Sequence, residues 1–166
     1  FSLFHEARNA GVSTAFDANV RTRLWTLSEA REALAEILPL TDYFFPSFED
    51  ARDLSGSEDH ETIMKWAHSL GAQVVLLKLG AQGVQISQGQ GADVIQMASF
   101  AVDTVDATGA GDCFAGATIA RLVAGDALLD AVRYANAAAA LTTTAYGAIA
   151  AIPDRDRVKA FLASRV

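Results

Sequence analysis

The clearest signal in this sequence is the segment Asp106-Ala107-Thr108-Gly109-Ala110-Gly111-Asp112. It lies between a strand-like segment, Phe100-Ala101-Val102, and a long alanine-rich helical pattern over 111–123. Glycines on both sides of Ala110 allow the backbone to approach a ligand closely, and the free N–H groups at the start of a helix attract anions. The segment therefore predicts an anion-binding loop at the beginning of a helix.

Asp112 adds a carboxylate to this loop, where a site built only for anions would avoid negative charge. A carboxylate is useful there if it accepts the proton of a hydroxyl group that attacks a phosphate. The residues alone leave another interpretation open, in which Asp112 caps the helix and the glycines form a tight turn.

Composition and charge narrow the class of protein. A chain of 166 residues that is 51% hydrophobic and 20% charged suits one globular domain over 1–166. The formal net charge of -7 argues against nucleic acid as a partner, so a bound phosphate must be held locally. No apolar run reaches the ~18 residues of a membrane span. We expect a cytoplasmic protein that binds small molecules and not membranes, and self-association stays open.

The cysteine and the histidines of this sequence do not predict a metal site. The one cysteine, Cys113, excludes an internal disulfide and a multi-thiolate metal centre. We expect Cys113 to be a small buried residue, with a reactive thiol at a helix start as the alternative. The histidines lack metal-binding spacing and are predicted to be ordinary surface or helix residues: His5, His60 and His68.

Three short apolar segments are predicted to be neighbouring parallel strands: 12–16, 42–45 and 74–77. Amphipathic helical patterns separate them, the first capped by Ser28 and the second over 58–70. This alternation favours a parallel α/β sheet with right-handed crossovers.

The second half of the chain changes character. Two alternating segments, 83–87 and 93–97, predict an antiparallel addition at the edge of the sheet. Helical patterns then follow over 111–123 and 126–145, and a last one begins near Pro153.

Polar residues follow the first predicted strand directly. Asp17, Asn19 and Arg21 occupy this place. In open parallel sheets the ligand crevice lies beyond the carboxyl ends of the strands, so we expect these three side chains to face a substrate.

The segment Asp-x-Thr-Gly-Ala-Gly-Asp, followed by Cys113-Phe114-Ala115-Gly116-Ala117, resembles the C-terminal signature of the ribokinase-like, or PfkB, family of sugar kinases. The resemblance implies a three-layer α/β fold with a mainly parallel sheet. It also implies that the loop amides form an anion hole for the transferred phosphoryl group and that the last Asp is the catalytic base. These roles fall on Gly109, Ala110, Gly111 and Asp112. Ala107 is a mild departure, because the family often has Thr there.

Further segments resemble the nucleotide side of the same family. Lys78-Leu79-Gly80-Ala81-Gln82-Gly83 resembles the strand-to-hairpin segment beside the nucleotide, and Ala135-Asn136-Ala137 belongs to a segment like the helix whose Asn lies near adenine. The resemblance thus places Lys78, Gly80, Gly83 and Asn136 beside ATP. From the residues alone, Lys78 could equally be a snorkelling surface lysine and Asn136 a polar interruption in a packed helix.

Metal sites are also implied by the resemblance. Asp106 and the carbonyl of Thr108, with the loop around Tyr146-Gly147-Ala148, match positions that hold an activating monovalent cation in some members. The family's Asn-x-x-Glu element, which organises water bound to Mg²⁺, is replaced here by Ser47-Phe48-Glu49-Asp50. Asp50 can supply an outer-shell carboxylate for Mg²⁺, or Ser47 and Asp50 form a turn and helix cap.

The substrate class comes from a second resemblance. Asp17-Ala18-Asn19-Val20-Arg21-Thr22-Arg23-Leu24-Trp25 is similar to a segment of 2-keto-3-deoxygluconate kinases. An Arg fork can pair bidentately with the carboxylate of a sugar acid, which makes Arg21 the leading candidate for that contact. In the alternative, Arg21 and Arg23 pair with acidic side chains at the surface.

Taken together, these resemblances predict ATP-dependent phosphorylation of a sugar-acid hydroxyl, with Mg²⁺ as cofactor. The chain opens at Phe1 with a short helical pattern, and the family's paired-glycine signature and lid subdomain have no counterpart. We therefore expect the C-terminal half of such a kinase, inactive by itself. The alternatives are another sugar kinase of the family, of fructokinase or ribokinase type, and a non-catalytic module that binds nucleotide.

Overall fold

The structure, a computed structural model, describes residues 2–165, so that Phe1 and Val166 lie outside the described residues. These residues form a five-stranded sheet whose spatial order follows the chain. The strands are β1 (Ala15–Phe16), β2 (Tyr43–Phe44), β3 (Val74–Lys78), β4 (Val84–Ser87) and β5 (Ile95–Met97).

The strand pairing agrees with the sequence prediction. β1 is parallel to β2, β2 is parallel to β3, and β4 runs antiparallel to β3. β5 lies next to β4 and ends the sheet. The prediction of parallel neighbours with an antiparallel addition at the edge is confirmed, although β1 and β2 are only two residues long.

Seven α-helices in the described residues precede, separate or follow the strands. They are α1 (Ser2–Asn9), α2 (Leu27–Ile37), α3 (Phe48–Ser55), α4 (His60–Ser69), α5 (Ala110–Val123), α6 (Leu128–Thr142) and α7 (Arg155–Ala163). Within the described residues, no helix is long and apolar enough to cross a bilayer.

The start of α2 corrects the prediction that Ser28 caps it. Thr26 is the N-cap, and its hydroxyl accepts a hydrogen bond from the Glu29 N–H, while the Glu29 carboxylate accepts one from the Thr26 N–H. These reciprocal bonds satisfy two backbone donors that the first turn would leave unpaired, which is why the helix begins earlier than expected. The bonds from Thr26 also lower the pKa of Glu29.

Two further elements differ from the sequence prediction. The helix α3 was expected only in the alternative that Ser47 and Asp50 form a turn and helix cap; Ser47 is its N-cap, with a hydroxyl that accepts the Asp50 N–H, and Gly56 is its C-cap with φ of 75°. The strand-like segment 100–102 forms no strand in the described chain. The apolar character of Phe100 serves packing instead, because its ring meets Phe161 of α7 at 5.4 Å in an edge-to-face arrangement.

The chain divides into two compact units, each with its own core. The first, 2–80 with 84–96, packs α2, α3 and α4 around the strands, and its buried residues include Leu34, Ile63 and Leu77. The second, 81–83 with 97–165, holds α5, α6 and α7 together around Cys113 and Ala137. The predicted substrate-side residues belong to the first unit, and the predicted anion loop belongs to the second.

Candidate active site

The predicted anion loop has the geometry of an open helix start. Gly109 is the N-cap of α5 with φ of 79°, and Ala110, Gly111 and Asp112 form the first turn. The Ala110 N–H donates to the Ala107 carbonyl at 3.2 Å, but the N–H groups of Gly111 and Asp112 meet no acceptor among the described residues. Two adjacent backbone donors are therefore available to an anion at the positive end of the helix dipole.

Gly109 is required by a close approach as well as by its dihedral angle. A Cβ atom at this position would lie 2.8 Å from the Ala148 carbonyl oxygen. The backbone of the loop 144–150 therefore lies directly against the anion loop. Any other residue would push the two loops apart and bend the first turn of α5.

Asp106 joins the same two loops through its carboxylate. One oxygen accepts the Thr108 N–H at 2.9 Å and the other accepts the Gly147 N–H at 3.0 Å. Hydrogen bonds from the Thr108 side chain, then from the Gly147 and Thr108 amides, lower the pKa of Asp106 to about 2.

The structure thus brings together the residues predicted for a monovalent cation: Asp106, Thr108 and Gly147. No cluster of three or more His, Cys, Asp or Glu side chains suited to a metal is found in residues 2–165. Any cation at this place would have to rely largely on backbone carbonyls, which is the ligand type predicted for Thr108.

Asp112 projects from the first turn of α5 and is exposed. Its carboxylate accepts no hydrogen bond from any described residue. An exposed carboxylate beside two unpaired backbone donors can accept a proton while those donors hold an anion. This combination is what the predicted base requires.

In the first unit, the substrate-side candidates follow β1. The Asp17 carboxylate forms an ion pair with Lys78, the last residue of β3. Asn19 has φ of 36°, a left-handed conformation that is unusual for a residue other than glycine. Arg21 is exposed; its guanidinium donates to the Val20 carbonyl at 3.3 Å and pairs with no carboxylate of the described chain.

The nucleotide-side candidates differ in their surroundings. Gly80 is exposed with φ of 57°, and a Cβ there would meet nothing within 4 Å. Gly83 is buried, and a Cβ there would lie 2.1 Å from the Met97 carbonyl oxygen. Asn136 is only 4% exposed, and its amide donates to the Ala98 carbonyl at 3.2 Å. Gly83 and Asn136 therefore have structural partners that the sequence did not predict, whatever they contribute to nucleotide binding.

The segment that replaces Asn-x-x-Glu begins a helix. The Ser47 hydroxyl is occupied as the cap of α3, while the half-buried Asp50 carboxylate accepts no hydrogen bond from the described chain. One free carboxylate suits an ion that keeps most of its waters and binds mainly to phosphates, as Mg²⁺ does. The residues present therefore fit an outer-shell contribution to Mg²⁺ and no more.

His68 lies in the helix α4, in agreement with the prediction of surface or helix residues, but it is not at the surface. It is buried at 8% exposure, with Nδ1 2.8 Å from the Ala72 carbonyl oxygen and Nε2 2.8 Å from the Ser87 hydroxyl. The carbonyl can only accept, so Nδ1 carries a proton and donates it to Ala72. The pair ties α4 to β4 and is satisfied internally.

Cys113 is buried at 8% exposure, as predicted. Burial raises the pKa of its thiol, and a hydrogen bond with Thr142 offsets this only in part. We expect a thiol-specific reagent at neutral pH to label the folded protein roughly tenfold or more slowly than the protein in denaturant, because thiolate and access are both scarce. Equal labelling rates in the two states would show that Cys113 is exposed and reactive.

Comparison with known proteins matches residues 2–155 to the pfkB family carbohydrate kinase. A 2-dehydro-3-deoxygalactonokinase of Haloferax volcanii is 36% identical over 157 residues, covering 92% of this chain and 48% of that protein. A 2-dehydro-3-deoxygluconokinase of Bacillus subtilis is 32% identical over 167 residues, with coverage of 99% and 51%. The chain thus spans about half the length of these curated relatives.

Solved structures agree with these matches. A protein assigned as ribokinase II from E. coli, in complex with ATP and Mg²⁺, matches with a TM-score of 0.86 and 31% identity, over 97% of this chain and 52% of the other. A fructokinase from Vibrio cholerae O395, bound to fructose, ADP and calcium, matches with a TM-score of 0.89 and 29% identity, over 98% and 54%. The predicted ribokinase-like α/β fold is confirmed.

The family match covers most of the chain, and both relatives exceed 30% identity while aligning with nearly all of it. The segment 106–112, from which the family was predicted, lies inside the matched region. The chain therefore belongs to the pfkB family of carbohydrate kinases.

Proposed function

We propose that the whole protein transfers a phosphoryl group from ATP to a hydroxyl of a sugar acid, with 2-keto-3-deoxygluconate as the leading substrate. The observation that carries this proposal is the free guanidinium of Arg21, which pairs with no carboxylate of the described chain. Both relatives described above are named as kinases of 2-dehydro-3-deoxy sugar acids, which are substrates with a carboxylate for such a guanidinium.

In this proposal Asp112 is the catalytic base. Its exposed carboxylate accepts the proton of the attacking hydroxyl, so that the oxygen becomes a better nucleophile as the bond to phosphorus forms. The N–H groups of Gly111 and Asp112 stabilise the negative charge of the transferred group, with Gly109 keeping the turn compact and Ala110 completing it. Asp106 holds this loop in place through its bonds to Thr108 and Gly147.

Cofactor binding follows the same family assignment. ATP supplies the phosphoryl group, and Mg²⁺ would neutralise its phosphate charge, with Asp50 as an outer-shell ligand. A monovalent cation at Asp106 and the Thr108 carbonyl, and nucleotide contacts by Lys78, Gly80, Gly83 and Asn136, stay predictions. Because such a reaction consumes ATP, we place the activity in the cytoplasm.

The substrate assignment is tested by Arg21→Lys in the whole protein. Lysine keeps the charge but replaces a fork of two donors with a point charge, so kcat/KM for the sugar acid should fall by about 10- to 100-fold, or ~1.5–3 kcal/mol. The KM for ATP should barely change. Arg23→Lys is the matched control, because Arg23 is an exposed arginine of the same segment and should tolerate the change.

A panel of sugars distinguishes the sugar-acid assignment from the second candidate, a fructokinase activity. The fructose-bound neighbour favours this candidate, since its overall likeness is as strong as that of the other structure. If the wild-type protein prefers fructose or ribose to 2-keto-3-deoxygluconate, or if Arg21→Lys has no effect, the sugar-acid assignment is wrong. The broader assignment as a sugar kinase would survive that result.

A further inference from the structure

The ion pair between Lys78 and Asp17 joins the ends of two strands that are not neighbours. Lys78 ends β3, and Asp17 directly follows β1, with β2 between them. The two side chains are 16% and 24% exposed, so the pair is largely shielded from water. At this depth the loss of one partner leaves the other as an uncompensated charge.

The charge on Asp17 matters because Arg21 lies four positions later in the chain. Arg21, the proposed contact for the substrate carboxylate, has no carboxylate partner in the described chain. An unpaired Asp17 would be free to compete for that guanidinium, and it would repel an anionic substrate. Lys78 removes both effects by occupying the Asp17 carboxylate.

The backbone between these residues needs an anchor as well. Asn19 is the only non-glycine residue with positive φ in the described chain. Such a conformation costs free energy and persists only where the surrounding structure holds it. The ion pair fixes Asp17, two positions before Asn19, to the rigid end of β3. It therefore supports the conformation that carries the chain toward Arg21.

We propose that Lys78 is a positioning residue for the sugar acid: it fixes and neutralises Asp17, so that Arg21 stays available to the substrate carboxylate. The inference rests on the proposed function, but it assigns Lys78 to the sugar side. The family resemblance had placed Lys78 beside the nucleotide. If Lys78 positions the sugar acid, its substitution should raise mainly KM for the sugar acid. If Lys78 contacts the nucleotide, its substitution should raise mainly KM for ATP.

The test is a double-mutant cycle in the whole protein, with Lys78→Met, Asp17→Asn and both together. We expect Lys78→Met to raise KM for the sugar acid by about tenfold or more, with KM for ATP changed less than about threefold. Adding Asp17→Asn should lower the raised KM again, because it removes the uncompensated carboxylate. Lys65→Met is the control, since Lys65 is exposed, pairs with Glu61 on α4 and should leave both KM values unchanged.

Two results would overturn the inference. One is a rise in KM for ATP that equals or exceeds the rise for the sugar, which would return Lys78 to the nucleotide. The other is a double variant as poor as Lys78→Met, which would show that Asp17 itself binds the sugar. If Lys78→Met does not fold, Lys78→Arg keeps the charge and should keep KM for the sugar near that of the wild type. A large rise there contradicts the inference.

A failure of the proposed function would look different. It appears in the wild-type protein, as a preference for a neutral sugar over the sugar acid. The cycle is then measured with that sugar, whose KM should still respond to Lys78→Met more than KM for ATP does, because the anchored backbone is the same. An unchanged KM for the neutral sugar would overturn the positioning role as well.

Discussion

Replacing Asp112 with Asn is expected to lower kcat of the whole protein by ~10²–10⁴ while nucleotide binding is largely kept. The amide has nearly the shape of the carboxylate, and the backbone N–H groups of the first turn of α5 are untouched. Only the charge that accepts the proton is lost. Steady-state kinetics with saturating sugar and ATP measure the fall, and binding of an ATP analogue measures what is retained.

A matched control separates the base from the helix start. Asp130 is an exposed carboxylate in the first turn of α6, as Asp112 is in the first turn of α5. Asp130→Asn therefore removes the same favourable interaction with a helix dipole, at a place with no predicted chemistry. It should leave kcat unchanged. If Asp112→Asn raises only KM, Asp112 is a binding or capping residue and not the base.

The largest loss of stability is expected for Gly83→Ala. Gly83 has φ of 97°, and the new Cβ would lie 2.1 Å from the Met97 carbonyl oxygen and 2.6 Å from the Ser99 nitrogen. Both obstacles are backbone atoms, which move only if the segment 97–99 is displaced. The strain of a left-handed residue and the overlap together should lower the free energy of unfolding by about 3–5 kcal/mol, measured by urea denaturation.

Gly89→Ala separates the effect of the steric overlap of a new Cβ from the strain of a left-handed backbone conformation. Gly89 has a similar φ of 115°, but a Cβ there would meet nothing within 4 Å. Its substitution should lower the free energy of unfolding by only about 1–2 kcal/mol, which is the conformational cost alone. Equal losses for the two variants would show that the segment 97–99 yields easily and that Gly83 is needed only for its dihedral angle.

The anion loop was predictable because everything it needs is local. Two glycines, a helix start and a carboxylate follow one another within 109–112, and the structure keeps the unpaired N–H groups that this pattern implies. The neighbouring parallel strands were predictable for a related reason, since strands that follow one another in the chain usually lie next to one another in the sheet. The prediction for the start of α2 was wrong because capping at Thr26 depends on reciprocal hydrogen bonds with Glu29 and not on residue type alone.

Contacts between distant residues were decided only by the tertiary structure. Lys78 and Asp17 are 61 positions apart, Gly147 and Asp106 are 41 apart, and Asn136 and Ala98 are 38 apart. No periodicity or turn pattern encodes such a pairing, because it depends on which strand ends and loops the packed chain brings together. The sequence by itself determined the family, the anion loop and the order of the sheet. Folding decided that Lys78 pairs with Asp17, because Lys78 ends β3 and Asp17 follows β1, and the carboxyl ends of these parallel strands meet at one edge of the sheet.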